Sequence, residues 1–460
     1  MPKQFVLGLL VSSAVLLSVV AAPAENINDA LSKAYQKNSE LNSIRADVRV
    51  ADENIAKAKS GFRPTITGSA GLSYTTKRSN FSNRLTTESF GLQINQTLFD
   101  GFQTKNNVAA AEARSAASVE QLRSSVEQTL FSAAQAYMNV LHDRRAAVLT
   151  RQNLAFANEW VRSAKARMDV GEGTGTDVAQ TEAFRANAVA AVSLADSQVK
   201  TSEAIYRRIV GDNAGKLEPA QPLSRLLPRN LSSAFMIANN EHPAILASAH
   251  LVNAAGHTVK SSEGALLPQE TAEAGISEGG NPTSGSGGSV GSGPYGFGTS
   301  AKVGLNVRVP IYQAGKAAAQ VRQSKESLSQ SRIEVDVSRN EVRKAVADAW
   351  SAYESSRSNV RANKDNVSYT ELALNGIVDE RSVGQRTTLN VLEAQQDVIN
   401  AKLNLIASER DLVLSTYAIL QATGLLSPDR LGLDVAKYKP EEHYNAVKDK
   451  WIGIRTPDGR

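Results

Sequence analysis

The chain contains the same pattern of residues twice, and this internal repeat limits its possible folds more than any other feature. Three pairs of glycines mark the correspondence: Gly91 with Gly304, Gly171 with Gly384, and Gly211 with Gly424. The two members of each pair are 213 residues apart, so the match runs from the first pair to the last without a gap. A repeat of this kind predicts two structurally equivalent halves.

The repeat divides the chain into segments. An upstream match, Phe62-Arg63-Pro64 with Leu266-Leu267-Pro268, has an offset of 204, so the second copy has gained nine residues. They fall in the Gly/Ser-rich stretch 275–300, which is typical of a flexible loop. The predicted segments are a signal peptide at 1–24, a first repeat at 25–211, a linker at 212–237, a second repeat at 238–424 and a polar tail at 425–460.

The first residues are typical of an export signal. Lys3 precedes an apolar run from Phe5 to Val20, and Ala22-Pro23-Ala24 forms a small-residue cleavage site. The alternative is a retained membrane anchor, which fits less well because the processing site follows the run at once. We find no second apolar stretch near the ~18 residues that a membrane-spanning helix needs. The exported chain is therefore expected to cross a membrane, if it does so, as β-structure.

Each copy is predicted to contain two short strands whose faces differ. The segments 65–74, 90–98 and 301–311 alternate apolar and polar residues, whereas 269–277 is weaker because Glu270 stands where an apolar residue is expected. One such strand alone fits a half-buried sheet in a soluble domain equally well. Four of them in an exported chain favour the wall of a water-filled transmembrane barrel.

The rest of each copy is predicted to be helical, with an apolar residue at every seventh position. Seven-residue spacing sustained over whole segments predicts coiled-coil packing, since a straight helix would drift from the seam by about 20° per heptad. Two shorter helices, stacked end to end, would flank one long helix in each copy. The predicted helices are 28–61, 102–169 and 177–210 in the first copy, and 240–264, 315–382 and 389–423 in the second.

One chain cannot complete this structure. Four strands do not close a barrel, and an open sheet edge in lipid leaves backbone groups without partners. Closure must come from symmetric copies: a dimer would supply about eight strands and a trimer about twelve. About eight strands leave an interior filled by side chains, so an aqueous pore favours three copies.

Composition excludes several other classes of function. Cysteine is absent, which removes disulfides, thiolate metal sites and a lipid anchor on an N-terminal cysteine. The five histidines are scattered, and we predict no metal site and no cofactor. A net charge of +5 from 51 basic and 46 acidic residues does not indicate nucleic-acid binding. No nucleophile–base pair or carboxylate dyad is evident, so the chain is not expected to be an enzyme.

Together these features resemble the TolC-type outer-membrane efflux channels over nearly the whole exported chain. The most specific match is residues 382–394, Ser-Val-Gly-Gln-Arg-Thr-Thr-Leu-Asn-Val-Leu-Glu-Ala, and segments 265–269 and 309–315 match the family's strand boundaries. The resemblance implies a mainly α fold with a small β part: a trimeric 12-stranded transmembrane β-barrel continued by a helical tunnel through the periplasm of a Gram-negative bacterium. It further implies a passive duct that docks on a periplasmic adaptor and an inner-membrane transporter. The alternative is a periplasmic coiled-coil adaptor.

The resemblance also assigns gating and constriction residues at the helix turns. Arg386 stands where the family's gating arginine joins the inner helix pair to the outer one, and Thr176 and Asp177 stand at the positions of its partners. Asn390 and Glu393 replace two aspartates that the family often carries on the pore side, so one carboxylate ring is expected where the family has two. The alternatives are a solvated turn residue for Arg386 and an ordinary exposed acid for Glu393.

Overall fold

The computed structural model describes residues 24–78, 82–280, 283–284 and 297–459. The predicted signal peptide, apart from Ala24, and most of the predicted loop at 275–300 lie outside these ranges. The described chain is mainly helical with one small sheet, as predicted. None of its helices combines the length and hydrophobicity needed to cross a membrane.

Two helices of 67 residues each dominate the architecture. At about 1.5 Å per residue, each is on the order of 100 Å long. Both ends of α3 recur in α7 exactly one repeat later, as do the starts of α4 and α8. The described helices are α1 (Ile27–Lys37), α2 (Ser39–Lys59), α3 (Gln103–Asp169), α4 (Gly175–Val210), α5 (Leu231–Glu241), α6 (Pro243–Gly264), α7 (Lys316–Ser382), α8 (Thr388–Ala422) and α9 (Pro440–Val447).

The first predicted helix of each copy is broken in two. In place of one helix over 28–61, α1 and α2 are separated by Asn38, whose side chain accepts a hydrogen bond from the Leu41 amide at 3.0 Å and caps α2. In place of one helix over 240–264, α5 ends at Glu241 and α6 begins at Pro243. Proline lacks an amide hydrogen, so it fits the first position of a helix and not the interior. α5 also begins inside the predicted linker.

The helices of the first copy pack as predicted from their lengths. α3 contacts α2 along one part of its length and α4 along another. The two partners meet where the Asn38 side-chain amide donates to the Ile209 carbonyl at 3.0 Å. Lys37 pairs with Asp212 at 2.9 Å beside this junction. In the second copy, Gly424 approaches His242 at the equivalent place, where α8 ends beside the α5–α6 break.

All four long strands are present, with bounds that differ from the predicted ones. They are β1 (Thr65–Arg78), β2 (Ser82–Phe99), β3 (Gln269–Gly280) and β5 (Phe297–Arg308), and a two-residue strand, β4 (Thr283–Ser284), also pairs with β2. The order β1-β2-β3-β5 is antiparallel throughout. β5 ends before the predicted 311 because Pro310 has no amide to donate to a ladder. Within the described residues, β1 and β5 have no strand partner on their outer edges.

The sheet has one apolar and one polar face. Successive rungs show the alternation: Ile66, Ile94, Ala274 and Val303 align across the four strands, and the next rung is Thr67, Gln93, Gly275 and Lys302. In the single chain Ile66 is 65% and Val303 87% exposed, so the apolar face has no cover. Glu270, which weakened the prediction of β3, pairs with Val307 at the end of the sheet that adjoins the helices. At this position Glu270 lies at the border of the apolar face and not in its middle.

The predicted linker and polar tail are packed structures. Leu217 from the linker and Leu426 and Leu433 from the tail belong to the largest buried apolar cluster, in which α3 and α8 also take part. The buried hydroxyl of Tyr137 donates to the carbonyls of Glu25 at 2.8 Å and Glu218 at 2.6 Å. The sequence predicted only a linker and a polar tail here, but leucines spaced along these segments are buried against the helices.

Glu127 is a buried acid within α3. Its side chain is only 2% exposed, and Oε1 has no hydrogen-bond partner within the described part of the chain. Burial raises the pKa of Glu127 to about 8; nearby Arg123 opposes the shift and Glu120 adds to it. Because the folded pKa lies above the ordinary value of 4.5, stability falls as the pH rises between these values, by about 1.4 kcal/mol per pH unit.

We therefore expect Glu127→Gln, which mimics the protonated acid, to be more stable than the natural protein at alkaline pH. Thermal unfolding of the purified protein should show a higher midpoint for the variant above pH 8, and no difference near pH 4.5. If the unfolding midpoints of the two proteins change with pH in parallel across this range, Glu127 is not a buried, protonated acid.

Candidate functional site

The two tight turns between long helices are built from the same capping motif. In the first, the Thr174 amide donates to Asp177 Oδ2 and the Asp177 amide donates to Thr174 Oγ1, both at 3.1 Å. In the second, the Thr387 amide donates to Asn390 Oδ1 at 3.1 Å, and the Asn390 amide donates to Thr387 Oγ1 at 3.3 Å. Each is a reciprocal capping box that satisfies the first amides of α4 or α8. We call these two turns the tips.

The predicted contact between Arg386 and Asp177 does not form within the chain. Arg386 Nε donates to Glu380 Oε2 at 2.6 Å, and both side chains are about half exposed. The two residues flank one turn, so their pairing stays inside the α7–α8 hairpin. Thr176 lies exposed at the second position of α4, and Asp177 caps its own helix by accepting a hydrogen bond from the Thr174 hydroxyl.

A different arginine, Arg381, connects the two hairpins near the tips. Its Nη2 donates to Thr388 Oγ1 at 3.0 Å, within the α7–α8 hairpin. Its guanidinium lies over the ring of Trp160 on α3, 4.9 Å from the ring centroid. The hydroxyl of Thr388, a residue that is only 3% exposed, donates in turn to Asp177. We call Trp160, Asp177, Arg381 and Thr388 the tip link.

The pKa values of Asp177 and Arg381 each depend on other members of the tip link. The hydrogen bond from Thr388 is the main reason that the pKa of Asp177 is lowered; the hydrogen bond from Thr174 and the charge of Arg381 lower it further. Since the folded pKa is lowered, this stabilisation is complete at neutral pH and is lost only as the pH falls through that pKa. Burial, followed by the charge of Arg167, lowers the pKa of Arg381. Its Nε is buried without a hydrogen-bond partner among the described residues.

Sequence reasoning missed Trp160, Arg381 and Thr388. Two local signals point to them in retrospect. Trp160 is one of only 3 tryptophans in the chain and lies near the end of the predicted long helix. Arg381 lies in the last turn of α7, where a cation is favoured by the helix dipole. That the two residues meet depends on how the hairpins pack, which no local pattern reports.

The predicted constriction residues differ in their surroundings. Asn390 Oδ1 accepts hydrogen bonds from the Thr387 amide and, at 2.8 Å, from the Thr387 hydroxyl, so its carbonyl oxygen is used for capping. Glu393, one turn further along α8, is exposed and has no ion-pair partner within the described ranges. Of these two residues, only Glu393 carries a charge, and the structure gives it no ion pair within the described ranges.

The described residues contain no group of three or more His, Asp or Glu side chains placed to hold a metal ion. The tip link consists of an arginine, a carboxylate, a threonine and a tryptophan. These groups can hold two helix pairs together by hydrogen bonds, charge and stacking.

Comparison with known proteins gives a consistent result. A family model described as "Outer membrane efflux protein" matches residues 30–212 and 236–425. The chain is 49% identical over 458 residues to the outer membrane efflux protein BepC of Brucella suis, covering 100% of this chain and 98% of that relative. It is 25% identical to the outer membrane protein TolC of Vibrio cholerae, over 94% of this chain and 99% of TolC.

Among solved structures, the fold is similar to the CmeC outer membrane channel of Campylobacter jejuni. The TM-score is 0.76 at 15% identity, covering 92% of this chain and 89% of CmeC. At this identity the likeness establishes the fold alone.

Proposed function

Because the chain belongs to the outer membrane efflux protein family, we propose that it is the passive exit duct of a tripartite efflux or type I secretion system. It is an outer-membrane transport protein of a Gram-negative bacterium that extends into the periplasm, and its family is one of channels, not enzymes. The alternative of a periplasmic adaptor does not fit this family.

The observation that carries the proposal is a sheet that is open at both edges. Among the residues that the structure describes, β1 and β5 each have one edge without a strand partner, and the apolar face between them is uncovered. In lipid, every exposed backbone amide and carbonyl without a partner costs several kcal/mol. Pairing β1 of one copy with β5 of the next removes both edges, and three copies give a homotrimeric barrel of about twelve strands around a polar lumen.

The helical tips close the duct in this proposal. The tip link holds the α7–α8 hairpin against the α3–α4 hairpin, so separating the hairpins must break it. Arg386 and Thr176 are exposed at the tips of the single chain, where the remaining guanidinium donors of Arg386 can reach a neighbouring copy. Docking of a periplasmic adaptor and an inner-membrane transporter would open the tips by supplying contacts that favour the separated arrangement.

Three copies of the chain would bring three Glu393 carboxylates around one axis, about one helical turn along α8 from Asn390. A ring of carboxylates attracts cations and repels anions. We expect Glu393→Gln to reduce cation selectivity in planar bilayers, seen as a shift of the reversal potential toward zero under a salt gradient. Glu371→Gln, on α7 and already paired with Lys402 at 2.6 Å, is the matched control and should leave the reversal potential unchanged. An unchanged potential for Glu393→Gln would remove this residue from the constriction.

The assembly is tested directly by imaging and weighing the detergent-purified particle. We expect three copies in a cylinder with a short membrane-embedded end and a long helical end. Salt washing should leave the protein in the outer-membrane fraction, and extraction should require detergent. A single-copy, detergent-independent rod would refute the proposed duct.

A further inference from the structure

The tail after α8 runs along α2 toward the sheet. At the start of this path, the Tyr438 amide donates to the hydroxyl of Tyr35 at 3.2 Å. Further along, His443 Nδ1 lies 3.1 Å from Asp52 Oδ2, and Val447 is fully buried at the end of α9. These contacts begin on α1 and continue along α2 toward its C-terminal end, so they direct the last residues of the chain to the place where α2 leads into β1.

The tail is fixed at that place by three contacts. Lys59, the last residue of α2, pairs with Asp449 at 2.8 Å. Arg63 Nη1 donates to the Lys450 carbonyl at 2.7 Å. The Arg63 guanidinium also lies over the ring of Trp451, 4.7 Å from its centroid. Arg63 precedes the first residue of β1, Thr65, by two positions, so Trp451 lies at the end of the sheet that adjoins the helices.

Beyond this anchor the segment exposes its apolar side chains. Trp451 is 67% exposed, Ile452 89%, and Ile454 is fully exposed. Exposed apolar side chains clustered between charged side chains are unusual in contact with water and mark a surface that another phase or molecule covers. The basic residues Lys450 and Arg455 flank them, and the only acid between 448 and 455, Asp449, is neutralised by Lys59.

The position of the segment identifies what covers it. Phe62 and Phe102, each 54% exposed, lie in two of the four connections between helices and sheet, beside the start of β1 and the end of β2. Transmembrane sheets carry aromatic residues at the level of the lipid head groups, because large apolar rings are stable at the boundary between the hydrocarbon layer and the polar head groups. Trp451, held over Arg63 two positions before β1, adds a third aromatic side chain at this end of the sheet, where the apolar face begins with Ile66.

We propose that residues 450–455 are an interfacial anchor that inserts Trp451, Ile452 and Ile454 into the periplasmic leaflet of the outer membrane, with Lys450 and Arg455 against phospholipid phosphates. The proposal rests on the proposed function, since it requires the sheet to span that membrane with the helices on the periplasmic side. The chain has no cysteine to carry a lipid. The anchor supplies each copy with a lipid attachment made of side chains alone.

The test uses the three tryptophans of the full-length chain, Trp160, Trp350 and Trp451. A W160F/W350F variant leaves Trp451 as the single fluorophore, and phenylalanine preserves the ring that stacks on Arg381. The protein is reconstituted into vesicles of phosphatidylethanolamine and phosphatidylglycerol, with a fraction of the lipid brominated close to the head group. We expect Trp451 to be quenched several-fold more strongly than Trp160 measured in a W350F/W451F variant. Ile452→Ser with Ile454→Ser should reduce the quenching of Trp451.

A positive control separates this proposal from the proposed function. Leu92→Trp in a variant lacking all three natural tryptophans places a fluorophore on the apolar face of the sheet. If Leu92→Trp is quenched and Trp451 is not, the sheet lies in lipid and the anchor is refuted. A blue-shifted but unquenched Trp451 would show that a second copy of the chain covers the segment, which also overturns the proposal. If Leu92→Trp is unquenched as well, the membrane-spanning sheet itself fails.

Discussion

Replacing Arg381 with alanine is expected to hold the duct open. The substitution removes the stacking on Trp160 and the hydrogen bond to Thr388, which together connect the two hairpins near the tips. A partly buried cation–π contact and a hydrogen bond to a charged group total about 3 kcal/mol. If that energy is present only in the closed arrangement, its loss raises the ratio of open to closed channels about a hundredfold.

Single-channel recording in planar bilayers measures this change as a larger mean conductance. Arg381→Lys keeps the charge but loses the planar guanidinium, so an intermediate conductance is expected. Arg386→Ala is the comparison that decides between the two arginines. Within the described residues Arg386 pairs with Glu380 of the same hairpin, and both side chains are half exposed. This ion pair therefore contributes about 0–1 kcal/mol to stability. An effect of Arg386→Ala as large as that of Arg381→Ala would show that Arg386 carries the main tie, as the family resemblance implies.

The second large effect is expected at Gly264, where α6 ends beside the turn into α3. A Cβ atom on Gly264 would lie 2.2 Å from the carbonyl oxygen of Gly101 and 3.0 Å from Gln103 Cγ. The close approach is mutual, since a Cβ on Gly101, which has a φ of 68°, would lie 2.2 Å from the carbonyl oxygen of Gly264. Gly264→Ala should therefore destabilise the protein by about 3 kcal/mol or more and reduce the yield of assembled particle from the outer membrane.

Gly256→Ala is the matched control for this substitution. It lies in the interior of the same helix, and a Cβ there would meet no atom within 4 Å. Alanine favours a helix interior over glycine by about 1 kcal/mol, so this variant should be as stable as the natural protein or more so. Equal yields of the two alanine variants would show that the backbone at Gly101 and Gly264 can separate without cost.

The repeat and the alternation of residues made most of the fold predictable. The 213-residue spacing located both hairpins, and period-two patterns located all four long strands. These features are local or periodic, so they can be read without knowing which segments meet. The breaks at Asn38 and His242 were missed although both have local causes, a capping side chain and a following proline.

Contacts between distant segments could not be predicted in the same way. The tail was read as polar, yet Leu426, Leu433 and Val447 are buried against helices that lie far away in sequence. Arg381 reaches Trp160, which is more than two hundred positions earlier in the chain. The family resemblance directed attention to Arg386, and only the packing of the hairpins identifies Arg381 as the residue that joins them within one chain.

The equal lengths of α3 and α7 restrict how such a chain can evolve. Each residue inserted into one hairpin would extend it by about 1.5 Å and rotate everything beyond by about 100°, so the tips would no longer end at the same level or face the same neighbours. Inserting seven residues into each helix of both hairpins avoids this. Such an insertion adds about 10 Å to each helix and nearly restores the direction in which the residues beyond it face. Related proteins that bridge envelopes of different depth should therefore differ by paired, heptad-sized insertions in both halves.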